Sequence, residues 1–361
     1  MKRILLLSPA ELGDVRTVKI SSYLSSKGYT IDFVGWQRTE KPIDKPSYIN
    51  SVKTLQKGGG HATKWLPILY VVYIIRLFFY LLLKKGLKSY VIYAIDFEIA
   101  YPAWLVSKLR NVKYIYDIYD DFAISHNFPP RIVSWIHKKD AKVRKDAAFY
   151  IHVDENRVSE IDSSNYIIIY NSPVDVKLDD NIPDYENKFA VTGWLNKTRG
   201  LQSIYEFAIN NPQISLIVVG EFNQKEYEEK FLKLENVEYH HFMPQTELFK
   251  IIGKCRGIFS LYDSSIPINR LAASNKLYDA MMLSIPVVVN KDLMAADFVR
   301  TNKIGYVIDY EYGESWSILS TFDKEKTGVL GANGRDLYKR KYEFTTMLDA
   351  VLLPKVKEIT N

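Results

Sequence analysis

Ser274-Asn275-Lys276-Leu277-Tyr278-Asp279-Ala280-Met281-Met282-Leu283-Ser284-Ile285-Pro286-Val287-Val288-Val289-Asn290 reads as a helix that runs directly into a buried strand. Ser274 and Asn275 suit a helix N-cap, because their side-chain oxygens can accept from first-turn amides that lack a partner within the helix. Leu277, Ala280 and Met281 recur at helical spacing, Pro286 ends the helix, and residues 287–289 form a β-branched run. Bare amides at the positive end of a helix dipole favour a phosphate. Lys276, in the first turn, opposes that dipole unless an anion lies beside it. Asp279 follows one turn later, where a carboxylate would meet ribose hydroxyls. The pattern predicts a nucleotide-linked ligand.

Outward from this stretch, strands alternate with helices. In the first half, strands are expected over 4–7, 30–34, 90–94, 114–117, 149–153 and 166–170. Helices are expected over 15–27 and 99–109, with a basic one over 132–146. In the second half, strands at 189–192, 215–219, 237–240, 257–261 and 287–289 alternate with helices at 203–209, 226–232 and 247–252. Such alternation implies parallel sheets covered by helices on both faces, an α/β architecture of two Rossmann-like domains. A length of 361 residues accommodates two such cores. The expected division is 1–172, a polar and acidic linker over 173–187, and 188–334, with a last helix over 335–361 packing back on the first domain.

The single cysteine, Cys255, excludes an internal disulfide and fits a reducing, cytoplasmic compartment. The apolar run at the N-terminus is too short for a signal peptide and reads as a first strand. The net charge of +6 is uneven: residues 1–175 carry 25 Lys/Arg against 17 Asp/Glu. An excess confined to one half points to an anionic surface. No nucleic-acid motif accompanies it, so an anionic membrane is the expected partner and nucleic acid is not. Residues 64–88 carry the same message. An apolar core from Trp65 to Leu83 is about the ~20 residues that span a bilayer, but Arg76 interrupts it. Trp65, Phe78, Lys84 and Lys85, with Lys64 and Lys88, suit a helix lying in the membrane interface on the inner face of the cell membrane. A buried domain helix and a true span are the alternatives.

Ligands of open α/β sheets bind beyond the carboxyl ends of the strands. After the first strand lies Gly13, a point of close backbone approach, followed by Arg16. After the first strand of the second half come Lys197, Arg199, Gly200 and Leu201, and Arg199 has the planar fork that suits phosphate oxygens. Gly220, Met243 and Tyr262-Asp263 follow three further strands. In the first half, Asp117, Asp120 and Asp121 with His126 could orient or deprotonate an acceptor hydroxyl; an acidic helix cap is the plainer reading. No His/Cys/Asp spacing resembles a metal site, and neither Gly-x-Ser-x-Gly, a P-loop nor a dinucleotide fingerprint is present.

The 274–290 stretch resembles nucleotide-sugar glycosyltransferases of the GT-B fold, especially family 4 in its bacterial surface-polysaccharide branch. Those enzymes carry a Glu, seven residues, a second Glu, then Ala-Met and a small-x-Pro-Val-Val strand. Asp279-Ala280-Met281 and Ser284-Ile285-Pro286-Val287-Val288 match the later elements, while Leu271 stands where the first, sugar-binding Glu would be. Arg199-Gly200-Leu201 matches the family's Lys-Gly-Leu with Arg for Lys, and Trp194 replaces its first Arg. The resemblance implies two Rossmann-like domains facing across a cleft. It implies a nucleoside diphosphate sugar as donor substrate, no metal or other cofactor, and retention of configuration. It implies a lipid-linked saccharide acceptor in polysaccharide biosynthesis. Gly13, Lys197, Arg199, Gly220, Met243, Ser274, Asn275, Lys276 and Asp279 would bind the donor, with Asp117 and Asp120 catalytic. A GT-B sugar epimerase or a non-catalytic binding subunit are the rival readings.

Overall fold

The computed structural model describes residues 2–38, 45–60, 65–125, 128–158, 164–176, 183–270 and 274–360. Lys64, His126 and Leu271 fall outside them. The chain forms two compact units, Met1–Tyr170 with Met347–Asn361, and Asn171–Thr346.

The first unit is a seven-stranded parallel sheet in the order β3-β2-β1-β4-β5-β6-β7. Its strands are β1 (Arg3–Leu7), β2 (Thr30–Gln37), β3 (Ser51–Lys57), β4 (Val91–Ile95), β5 (Tyr114–Ile118), β6 (Phe149–His152) and β7 (Tyr166–Ile168). Its helices are α1 (Val15–Ser26), α2 (Leu66–Leu83), α3 (Phe97–Arg110), the single turn α4 (Phe122–Ser125) and α5 (Pro130–Asp146). β1, β4 and β5 are buried almost throughout, as expected for strands covered on both faces. Several buried tyrosines of this core keep a partner for the hydroxyl. Tyr73 donates to the Ser8 carbonyl, Tyr93 to Asp117 and Tyr116 to Asp140. β3 has no counterpart among the expected elements. It pairs only with β2, and its half-polar sequence lacks the apolar run of a central strand.

The second unit repeats the topology with six parallel strands in the order β10-β9-β8-β11-β12-β13. They are β8 (Glu186–Leu195), β9 (Ser215–Phe222), β10 (Val237–His240), β11 (Cys255–Ser260), β12 (Val287–Asn290) and β13 (Gly305–Ile308). The helices are α6 (Leu201–Asn210), α7 (Lys225–Phe231), α8 (Gln245–Ile252), α9 (Pro267–Arg270), α10 (Asn275–Met282), α11 (Met294–Asn302) and α12 (Lys324–Leu337). In each sheet the strand order reverses beside the first strand, so the crevice for a ligand lies beyond β1 and β4 in one unit and beyond β8 and β11 in the other.

Two expectations about connections change. The polar stretch after residue 172 is tied down where it is described: Ser172 is buried, Asp175 forms a two-pronged pair with Arg335, and the Pro173 carbonyl accepts from Tyr338. The expected single helix over 335–361 is broken. α12 closes in a π-helical turn at Tyr338–Tyr342, and Glu343 is extended and caps the amides of Thr345 and Thr346. The short α13 (Phe344–Met347) and then, after a second π-helical turn, α14 (Leu353–Thr360) follow. Of this tail, Met347–Asn361 belongs to the first unit. Tyr23 donates to Asp349 there.

Candidate donor and acceptor sites

In the second unit, the loop after β8 brings Arg199 over the ring of Tyr262, 3.9 Å from its centroid, and Tyr262 lies just beyond β11. Lys276, from the first turn of α10, reaches the same ring at 5.9 Å. The two cations chosen from sequence therefore converge on one buried phenol. Burial raises the Tyr262 pKa, but Lys276 and then Arg199, with hydrogen bonds from Ser274 and Ser260, more than offset it, so the net shift is downward. A buried phenol shifted that way sits in a strongly positive potential. The Nη1 of Arg199 is buried with no hydrogen-bond partner among the described residues. A buried guanidinium nitrogen left open in this way fits an anion that would complete it.

Ser274 occupies the N-cap position of α10 but its side chain makes no capping bond; its hydroxyl instead meets that of Ser260 at 2.7 Å. The correction strengthens the phosphate reading, since no side-chain cap occupies the first-turn amides. Asn275 is the first residue of the helix and is exposed. Asp279 is 8 % exposed and accepts from Gln245 at 3.4 Å, beside the loop that carries Met243, itself half-buried. Lys197 is exposed in a turn capped by Asn196. Gly220 has φ 151°, and a Cβ there would lie 1.9 Å from the Gly193 carbonyl oxygen, so only glycine allows β8 and β9 to close at this end. Trp194 is 63 % exposed and packs edge-on against Phe242, 5.0 Å between centroids.

In the first unit the structure rearranges the acidic residues. Asp117, expected to act on an acceptor, has no exposed surface and pairs with Arg16 at 3.0 Å. Tyr93 also donates to it at 2.5 Å, and Arg16 donates to the Ile169 carbonyl. Asp117 is thus a structural ion pair inside the sheet. Asp120 is exposed and bound to Arg157 at 2.9 Å. Gly13 is exposed, lacks a positive φ, and a Cβ there would meet nothing within 4 Å, so no close approach within the unit demands glycine.

The carboxylate that stands at the switch point is Asp96, directly after β4. Its backbone has φ 60° and ψ 162°, a region essentially reserved for glycine. Its Oδ1 accepts from the amides of Tyr119 and Asp120. Burial raises its pKa well above the usual carboxylate value, and Glu98 adds to the rise. Strain and a raised carboxyl together at a strand end mark a candidate functional group. Sequence reading missed it because the signal lies in backbone conformation.

Glu98 is 4 % exposed, and burial is the main cause that pushes its pKa up to about 7; its own amide and Arg38 oppose the shift, and Asp120 adds to it. A folded-state pKa above the ordinary 4.5 means a contribution to stability that is full below that value and is lost as pH rises through about 7. Glu98→Gln should therefore match the wild type in acid and exceed it at alkaline pH by up to about 3 kcal/mol, at roughly 1.4 kcal/mol per pKa unit. Urea unfolding over this pH range measures it. An identical pH dependence in the two proteins would mean that Glu98 titrates normally.

α2 connects β3 and β4 of one sheet, so it cannot be a span with its flanking strands on opposite sides of a membrane. Tyr73, Leu77 and Leu81 face the core, whereas Trp65, Ile68, Val71, Ile75, Phe79 and Leu83 are exposed. The helix thus packs one face on the core of the unit and leaves its other, apolar face open. Of the two adjacent phenylalanines Phe79 points outward; Phe78, expected there, packs half-buried against the core. Arg76 is exposed and reaches the Leu55 carbonyl, Lys85 is exposed, and Lys84 lies over Tyr80 and Tyr90. Among the described residues no cluster of three His, Cys, Asp or Glu is assembled.

The fold places the chain among known structures. Sucrose-phosphate synthase from Thermosynechococcus elongatus is similar at a TM-score of 0.71, with 13% identity over the whole of both chains. HepE from Anabaena, solved in complex with UDP, matches at 0.67 with 15% identity over 98% of each chain. WaaG, a glycosyltransferase involved in lipopolysaccharide biosynthesis, matches at 0.65 with 13% identity over 99% of this chain and 100% of its own. No protein-family model and no curated protein matches by sequence. At these identities the likeness shows the fold, two Rossmann-like units as in GT-B proteins.

Proposed function

We propose that the protein is a glycosyltransferase that moves a sugar from a nucleoside diphosphate donor, held by the second unit, to a saccharide acceptor held by the first. The observation that carries this reading is the convergence of Arg199 and Lys276 on Tyr262, beside the uncapped N-terminus of α10. Two cations and the first amides of α10, which no side chain caps, neutralise a diphosphate, and they stabilise the charge that grows on it as the sugar leaves. Asp279 takes the ribose hydroxyls. This chemistry asks for no metal. The solved complex of HepE with UDP supports a uridine nucleotide as the first ligand to test.

On the acceptor side, Asp96 replaces Asp117 and Asp120 as the group that orients the incoming hydroxyl. The exposed apolar face of α2 and the basic first half support a lipid-linked acceptor at the cytoplasmic face of a bacterial membrane, in surface-polysaccharide synthesis. Retention of configuration rests on the resemblance to family 4, and NMR of the product anomer tests it.

Arg199→Ala and Lys276→Ala should each weaken UDP binding by about 10- to 100-fold, the worth of a charge-assisted hydrogen bond of ~1.5–3 kcal/mol. Calorimetric titration with UDP, beside a circular dichroism check of folding, reads this out. Full affinity in both variants would remove the diphosphate site.

A further inference from the structure

Between α2, α3 and α5 of the first unit lies a pocket of about 380 Å³, inside the ~300–1,000 Å³ range of small-ligand sites. Tyr70, Val71, Ile75, Tyr101, Trp135 and Ile136 contribute to its wall. Glu98 is the one acidic or basic side chain in the wall among the described residues, and its Oε2 has no hydrogen-bond partner among them. The pocket therefore offers almost nothing to a polar ligand.

Its rim is continuous with exposed surface. Val71 and Ile75 line the pocket and are also 56 % and 50 % exposed, in one helical row with Ile68, Phe79 and Leu83. Across the opening, α5 exposes Arg131, Trp135, Lys138, Lys142 and Lys145. An apolar helix face beside a basic face carrying Trp has the chemistry of a surface that rests on anionic lipid: cations meet headgroups and apolar side chains enter the acyl boundary. A protein or peptide occupant would bring backbone polar groups that this wall leaves unpaired. A hydrocarbon chain brings none, and it keeps water away from the Glu98 carboxyl.

We propose that the pocket receives the hydrocarbon chain of a membrane lipid while α2 and α5 lie on the bilayer surface, and that this lipid is the carrier of the acceptor. The last clause rests on the glycosyltransferase reading; the preference for a chain does not. The volume holds roughly a dozen water-sized groups at ~30 Å³ each, so the pocket takes one end of a chain and leaves the remainder in the membrane.

The full chain, mixed with phosphatidylglycerol-containing vesicles that carry an acyl lipid with a diazirine at the chain end, is irradiated and the adducts mapped by mass spectrometry. Adducts are expected on residues 70–75, 101 and 132–136. Val71→Trp fills the mouth from an exposed position and should lower those adducts at least about tenfold, with vesicle and UDP binding retained. Ile68→Ser with Phe79→Ser, both outside the wall, should weaken vesicle binding. Adducts confined to residues 68, 79 and 83 and indifferent to Val71→Trp would overturn the pocket, as would a protein that ignores the vesicles. Failure of the wild type to bind UDP would instead remove the glycosyltransferase reading, whatever the adduct map shows.

Discussion

Asp96→Asn should lower sugar transfer by about a hundredfold or more, the lower end of what a positioned acid or base contributes, while UDP affinity stays unchanged. The substitution is chosen because asparagine keeps the oxygen that the amides of Tyr119 and Asp120 bond to. The strained turn after β4 is therefore preserved, and only the charge and the proton-accepting capacity are lost. The donor cations Arg199 and Lys276 belong to the other unit, so an effect confined to turnover separates acceptor activation from donor binding. Glu98 sharpens the expectation, because it is one of the causes that raise the Asp96 carboxyl. In Glu98→Gln that cause is gone, the Asp96 pKa falls, and the acid side of the turnover profile should move to lower pH. Turnover of Asp96→Asn within a few-fold of wild type would reduce the strained residue to a structural strap.

The parts of this protein that were legible in sequence share a physical property: their signal is local. The β-branched run of β12 and the helical spacing of Leu277, Ala280 and Met281 depend only on neighbours in the chain, and both elements lie where expected. Lys276 stood out locally as well, because a cation in a first turn is unfavourable without an anion, and its position over Tyr262 is what the structure adds. What was misread depends on partners far away in sequence. Ser274 looked like a cap until Ser260, fourteen residues earlier, took its hydroxyl. Asp117 ends an apolar strand and looked like a carboxylate in a cleft, but Arg16, 101 residues away, seals it. Asp96 gave no signal, since neither its φ nor the amides it accepts from are encoded in the residues beside it. The long apolar helix α2 was legible as a membrane candidate, yet only its packing shows that Phe79 points outward and Phe78 does not.

The second large effect concerns stability. Asp117→Ala should destabilise the first unit by about 3–5 kcal/mol, the usual cost of removing one member of a buried ion pair. The substitution leaves the Arg16 guanidinium in the interior, where only the Ile169 carbonyl still accepts from it among the bonds described, and it takes away the acceptor of the Tyr93 hydroxyl. Burial would lower the Arg16 pKa; the Asp117 carboxylate, with Tyr119 and Tyr93, reverses this and raises it. Without the carboxylate the buried charge becomes a net penalty. Replacing both partners, Arg16→Met with Asp117→Leu, removes the charge with its counterion and should recover much of the loss. Urea unfolding of the single and double variants measures the coupling. A catalytic Asp117 predicts the reverse pattern, an inactive Asp117→Ala of normal stability, and that result would return Asp117 to the acceptor site.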